Sequence, residues 1–426
     1  MQGLRDPEPA GDRPALRAVP APLPHRGRYP GDDRGGSRPG EKSRTRLAAA
    51  SPAREKGCGR KQTETRRPEE IQAEGQSQIE APSAAQALSH PLPLKILLIR
   101  LRRTGDIVLT TPAVAALRTA CPGAFLTYVV EEPYARLVRE HPDLDGALIL
   151  DRKSGRRGIF DLVREIRRGK YDAVLDFHGG PKASFLTLLS GARTRVGYAV
   201  KYRRFLYNRR VSRAGAEGPI HSAANHLNLV KALGVDVLHA PPLTLPEAAA
   251  EEKENVERLM KETGRGKKVV LHIGAGNRFR DWGVGNIVRL IGLIDGLPGV
   301  RVVLAGGPED GKAEEEIRGR AARPIPSLVG KVNLIELREC IGRSDLFVGP
   351  DSGPMHIAAS TPTPIVAVFG PTLPAHFAPW QARAVIVQSD LDCRPCRQRK
   401  CVTGDYRCLS AVTPEQVFDA CRSFLR

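Results

Sequence analysis

From residue 95 onward the chain alternates two kinds of apolar pattern. Short, largely apolar stretches at 96–99, 125–130, 147–150, 173–176 and 195–198 predict buried strands, and apolar positions at helical spacing over 107–117, 133–140, 159–168, 182–189 and 221–233 predict helices between them. Three prolines within 239–246 interrupt both periods and predict a linker. A second series follows, with strands over 267–273, 300–304, 346–348 and 364–369 and helices over 284–294, 309–320 and 334–341. Such alternation predicts an α/β protein of two doubly wound parallel sheets, one in residues 94–245 and one in 246–426, the latter closing with a terminal helix. Before residue 94 neither period occurs. Residues 1–93 are rich in Arg, Pro, Gly, Ser and Ala and nearly devoid of aromatic residues, the composition of a disordered extension.

Charge narrows the choice of partner. The net charge is +19, and the extension carries acids as well as bases, so most of the excess belongs to the two α/β halves. Basic residues gather in 152–170 and 201–210, which read either as solvated helix faces or as contacts for an anionic lipid surface, a phosphorylated glycolipid or nucleic acid. No signal-peptide pattern and no apolar run of membrane-spanning length occurs, which predicts a cytoplasmic protein, and the basic clusters admit peripheral contact at the inner face of the inner membrane.

Candidate chemistry sits where predicted strands end. The run 346–348 leads through Gly349 to Pro354 into a short helix, where Ser352 is placed to cap, Gly353 allows close approach, and unpaired amides favour a diphosphate; Asp351 and His356 flank that turn. The run 364–369 ends in Gly370-Pro371-Thr372 on the same predicted edge, where open α/β sheets bind ligands. In the first half, Thr104-Gly105-Asp106 follows the first strand, with Asp106 at a predicted N-cap, and Asp176-Phe-His-Gly-Gly180 follows another, offering His178 and Lys182. In the second half, Gly274-Ala275-Gly276 and Arg280 follow the strand over 267–273, and Asp310 follows Gly306-Gly307.

Asp351-Ser-Gly-Pro-Met-His356 with Phe369-Gly-Pro-Thr372, and Arg103-Thr-Gly-Asp-Ile-Val-Leu-Thr-Thr-Pro112, resemble the motifs of glycosyltransferase family 9, the heptosyltransferases. The resemblance runs from about residue 95 to the C-terminus, and Leu109-Thr-Thr-Pro112 is most similar to the third, branch-adding type. It implies a GT-B fold of two Rossmann-like domains facing across a cleft, and an inverting transferase moving heptose from ADP-heptose to the lipopolysaccharide inner core on lipid A. In that family the aspartate after glycine is the proposed general base, here Asp106. The glycine loop, here Gly274, Ala275 and Gly276, cradles the diphosphate, and a lysine before tryptophan assists the leaving group. Arg280 stands at that position. Asp310, where the family more often has glutamate, and Lys331, in a Gly330-Lys331 turn, complete the implied nucleotide-sugar set with Asp351, Ser352, Gly353 and His356; His178 and Lys182 are the implied acceptor contacts. No metal is expected for catalysis. A sibling transferase using another nucleotide sugar is the alternative reading.

Cys393, Cys396, Cys401 and Cys408 form a C-x2-C-x4-C-x6-C set that suggests a closed, structural zinc site. A basic cysteine knuckle using 394–400 to bind nucleic acid is the rival reading. It lacks base-stacking aromatics, with only Tyr406 inside it, so no nucleic acid is expected. Asp143-Leu-Asp145 and Asp390-Leu-Asp392 match the DxD pattern of a different fold and read as loop carboxylates.

Overall fold

The computed structural model describes residues 95–215 and 218–425, so the expected extension over 1–93 lies outside the described residues. Strand β1 (Lys95–Ile99) has four consecutive residues with no solvent exposure, as a strand covered by helices on both faces requires. After it come α1 (Thr104–Val108), α2 (Thr111–Ala120), β2 (Phe125–Glu131), β3 (Gly146–Leu150), α3 (Gly155–Gly169), β4 (Ala173–Asp176), α4 (Pro181–Leu189), β5 (Thr194–Tyr198) and β6 (Arg209–Val211). A small hairpin, β7 (Ala214–Gly215) and β8 (Gly218–Pro219), precedes α5 (Ser222–Ala232). The first sheet is wholly parallel in the order β3-β2-β1-β4-β5-β6.

The single helix expected over 107–117 is two. Pro112 has no N–H for the ladder and would crowd a preceding carbonyl, so the chain breaks and restarts with Pro112 in the first turn of α2. Hydroxyls of Thr110 and Thr111 bond the carbonyls of Ile107 and Val108 across the break, at 2.7 and 2.9 Å. The helix expected over 133–140 shortens to a 3₁₀ turn, Glu132–Leu137.

The second half opens with α6 (Ala250–Glu262) and continues through β9 (Lys267–His272), α7 (Val284–Asp295), β10 (Val300–Ala305), α8 (Gly311–Arg320), α9 (Leu334–Gly342), β11 (Leu346–Pro350), α10 (Gly353–Ala358), β12 (Ile365–Phe369), α11 (Pro374–Phe377), β13 (Ala384–Gln388), α12 (Arg407–Ser410) and α13 (Pro414–Leu425). Its sheet, also parallel, has the order β10-β9-β11-β12-β13. Val417, Cys421 and Leu425 of α13 bury against this sheet and α7.

Strand order reverses between β1 and β4 in the first sheet and between β9 and β11 in the second, and these are the crevices where doubly wound sheets receive ligands. The halves meet there backbone to backbone. A Cβ on Gly353 would lie 2.7 Å from Thr104 Cβ and 3.2 Å from Gly105 N, and one on Gly105 would lie 2.7 Å from His356 Cδ2, so the start of α1 presses on α10 with no room for a side chain. Ile335 and Ile357 of the second half are buried in the first half's core cluster.

Candidate active site

The first half brings a carboxylate to its switch point by way of a buried cation. Arg100, directly after β1, donates through Nη1 to the carbonyl of Phe177 after β4 at 2.9 Å, and its Nη2 pairs with the Asp106 carboxylate. Asp106 is not the N-cap that its position suggested. That place falls to Arg103, whose φ of 72° is in the left-handed region, and Asp106 sits in the first turn of α1, facing Arg100. A non-glycine residue in that region costs on the order of 1–3 kcal/mol, strain of the kind that gathers at functional sites.

Asp176 serves the loop rather than a ligand. Its carboxylate is wholly buried and accepts the amides of His178 and Gly179 at 2.9 and 2.8 Å and the Tyr207 hydroxyl at 2.6 Å, while burial raises its pKa. The loop so held presents His178. Burial, helped by Arg100 and Arg102, lowers its pKa to about 4, so the ring is neutral near pH 7. Lys182 is committed elsewhere: its ammonium lies 3.2 Å from Glu131, a fully buried carboxylate that also draws Arg152 at 3.1 Å and Arg102 at 3.6 Å. An acceptor would have to compete with Glu131 for that ammonium.

In the second half, the loop after β9 carries Gly274, Ala275 and Gly276 and delivers Arg280 to the end of β11. Gly276 has φ 58°, and a Cβ on Gly274 would fall 2.1 Å from Asp310 Oδ2, so the bare backbone there lets the Asp310 carboxylate lie against the loop. The other candidates lie along these ends. Asp310 accepts the Gly307 amide at 2.8 Å, and burial raises its pKa. Lys331 is exposed on the turn that Gly330, φ 66°, makes against the Gly306 carbonyl.

Arg280 is gripped on two sides. Nη1 lies 3.2 Å from both the carboxylate and the carbonyl of Asp351, and Nε donates to Gln398 Oε1 at 3.1 Å. Gln398, itself at φ 54°, also accepts from Asn277 Nδ2 at 2.7 Å. Asp351 is nearly fully buried and takes the Thr372 hydroxyl as a further donor; burial raises its pKa, with Arg280 opposing. Burial holds His356 neutral, with a pKa of about 4, in the fields of Asp106 and Arg280.

Ser352 stands at the N-cap of α10 but makes no capping bond. Pro354 at the second helical position has no N–H to offer, which removes one of the two amides a cap can take. The hydroxyl is buried without a partner, as are Arg100 Nε, His178 Nδ1 and His356 Nδ1. Buried polar atoms are normally satisfied, and this group collects around the meeting of α1 and α10.

The structure thus gathers Asp106, Asp351, Ser352, Gly353, His356 and Arg280 across the two halves, with His178 within electrostatic reach of Asp106 and with Gly274 and Asp310 along the neighbouring strand ends. Sequence reasoning missed Arg100, Glu131 and Gln398. Arg100 and Glu131 carried a signal, a charge at the very end of an apolar strand run. Gln398 carried none.

Cys393, Cys396, Cys401 and Cys408 line one cavity of about 20 Å³, closed by Phe279 and Tyr406. They are free thiols, and among the described residues no three His, Cys, Asp or Glu side chains are disposed to hold a metal ion. The expected zinc site does not fit this arrangement. Main-chain and guanidinium contacts bind the segment instead, the Cys396 amide to the Pro371 carbonyl and Arg394 Nη2 to the Thr372 carbonyl at 2.7 Å. Of the DxD carboxylates, Asp145 holds Arg118 at 2.5 Å and the Leu126 amide at 2.7 Å.

Two Rossmann-like parallel sheets with their switch points brought together make a GT-B fold, with a nucleotide-sugar motif on the second sheet. The chain belongs to glycosyltransferase family 9 (heptosyltransferase), whose model matches residues 159–407. It is 27% identical over 293 residues to lipopolysaccharide heptosyltransferase 3 of Escherichia coli, covering 66% of this chain and 84% of that protein. The solved glycosyltransferase family 9 structure from Veillonella parvula superposes with a TM-score of 0.67 at 26% identity, over 78% of this chain and 97% of that one. E. coli heptosyltransferase WaaC with ADP shares the fold, with a TM-score of 0.58 at 20% identity over 77% of this chain and 99% of that one.

Proposed function

We propose that this glycosyltransferase moves a heptose from ADP-heptose to the inner core of lipopolysaccharide with inversion, Asp106 acting as general base and Arg280 as stabiliser of the leaving diphosphate. The observation that carries this reading is that Asp106 lies within electrostatic reach of Asp351 and His356, with Arg280 paired to Asp351, where α1 presses on α10. As the acceptor hydroxyl attacks the anomeric carbon, its proton passes to the Asp106 carboxylate. The bond from that carbon to the diphosphate breaks, and ADP departs with the bonding electrons. Arg100 orients the base. With Nε and Nη1 of Arg280 held by Gln398 and Asp351, its Nη2 has no protein partner among the described residues and is left for the diphosphate.

The amides from Ser352 onward and the Gly274–Gly276 turn allow the diphosphate close backbone contact, and Asp310 and Lys331 border the nucleoside end. His178 faces the acceptor. A lipid A-borne acceptor implies work at the cytoplasmic face of the inner membrane, by peripheral contact.

A thermal-shift titration with ADP-, UDP- and GDP-sugars and an oligonucleotide tests the donor assignment. Stabilisation by the ADP-sugar alone is expected, and a larger shift from another nucleotide or from the oligonucleotide would replace it.

A further inference from the structure

The first half leaves large apolar side chains in solvent on one side. Phe160, Phe185, Leu188, Leu189, Tyr202 and Phe205 are between 40% and 78% exposed. They come from three adjoining elements: α3, α4, which packs against α3, and the turn around Arg204–Leu206, which packs against α4. On α4, Phe185, Leu188 and Leu189 have the i, i+3, i+4 spacing of one stripe, while Leu186 and Ala183 face the core. On α3, Phe160 has Arg156 and Arg164 one turn to either side, opposite the buried Leu162 and Ile166.

Cations surround this apolar surface. Residues 193–213 hold eight Arg or Lys and no Asp or Glu. A face of protruding aromatic and leucine side chains set among arginines has the chemistry of the bilayer interface, where rings and leucines enter the acyl boundary and guanidinium groups meet anionic headgroups. Two copies of the chain would bring like charge against like charge on pairing through this face, which disfavours a dimer. The face also adjoins the candidate site: Arg203 donates to the carbonyl of Gly179 at 3.1 Å, and α4 is preceded by Gly180, in the loop that presents His178.

We propose that this surface docks the protein on an anionic bilayer and so sets the first-half switch point against a lipid-borne acceptor. The orientation rests on the acceptor proposed above, but the docking does not. Flotation of the full chain with phosphatidylglycerol-rich and with pure phosphatidylcholine vesicles reads it directly. Salt-sensitive binding to the anionic vesicles is expected, weakened about tenfold by Phe185→Ser with Phe205→Ser. That variant retains every charge and residues 1–94, so neither the basic clusters nor the extension accounts for a loss. Its melting temperature and its ADP-sugar thermal shift should match the parent's. Equal binding of parent and variant, no preference for anionic vesicles, or capture by an oligonucleotide in competition with vesicles overturns the proposal. If vesicles bind as expected while no heptose reaches a soluble core oligosaccharide, the docking stands and the transfer assignment fails.

Discussion

The two switch points are built from opposite materials. At the first, side chains dominate and neutralise one another: Arg100 against Asp106, three cations against Glu131, and two amides and a tyrosine against Asp176. At the second, the backbone dominates, through Gly353, which admits no side chain against Thr104 and Gly105, through Gly274, against which the Asp310 carboxylate lies, and through one guanidinium held from two sides. The difference matches the two jobs proposed for these strand ends, proton removal at the first and diphosphate binding at the second. Removing a proton needs a carboxylate at a fixed place, which fixed countercharges supply. Holding a diphosphate needs many weak donors at close range, which bare backbone supplies.

The sharpest way to break this comparison is Asp106→Asn. The amide keeps the size of the carboxylate but takes no proton, so transfer should fall about 10²–10⁴-fold while ADP affinity stays within a few-fold. Single-turnover rates and calorimetric ADP binding give both numbers. Near-normal turnover would move the base elsewhere, first to His178.

Arg280→Ala should cost about 10²-fold in turnover and also weaken ADP binding, because in the proposed site its charge faces the diphosphate. If the two variants lost ADP affinity equally, the division of labour between the halves would collapse.

Gln398→Leu tests how the guanidinium is held. Removing one hydrogen bond to a charged group should slow transfer about tenfold with Arg280 present. In an Arg280→Lys background, where no Nε exists to be held, the same change should cost less than about twofold. Equal losses in both backgrounds would make Gln398 a loop residue only.

Much of the fold was legible because parallel strands covered on both faces appear as unbroken apolar runs, as in Ile96–Ile99 or Phe347–Val348. Helix α6 escaped notice because its few buried positions, Val256, Leu259 and Met260, are diluted by Glu and Lys. Strand β13 escaped because it is an edge strand, mostly half-buried. The cap expected of Ser352 is not made, and Pro354, readable two residues away, removes one of the two amides it could have taken.

By itself the sequence determined the strand ends, the glycines that let backbone approach backbone, and the motif residues placed at those ends, because each depends on a few neighbouring residues. Only the tertiary structure decided what surrounds each charge. Asp106 and Asp351 are 245 positions apart, and Arg280 and Gln398 are 118 apart. Their meeting depends on how the halves dock, with Ile335 and Ile357 buried in the first core and Gly105 against Gly353. Burial there lowers the pKa of His356 and raises that of Asp351, and burial is a property of the packed whole that no local pattern carries.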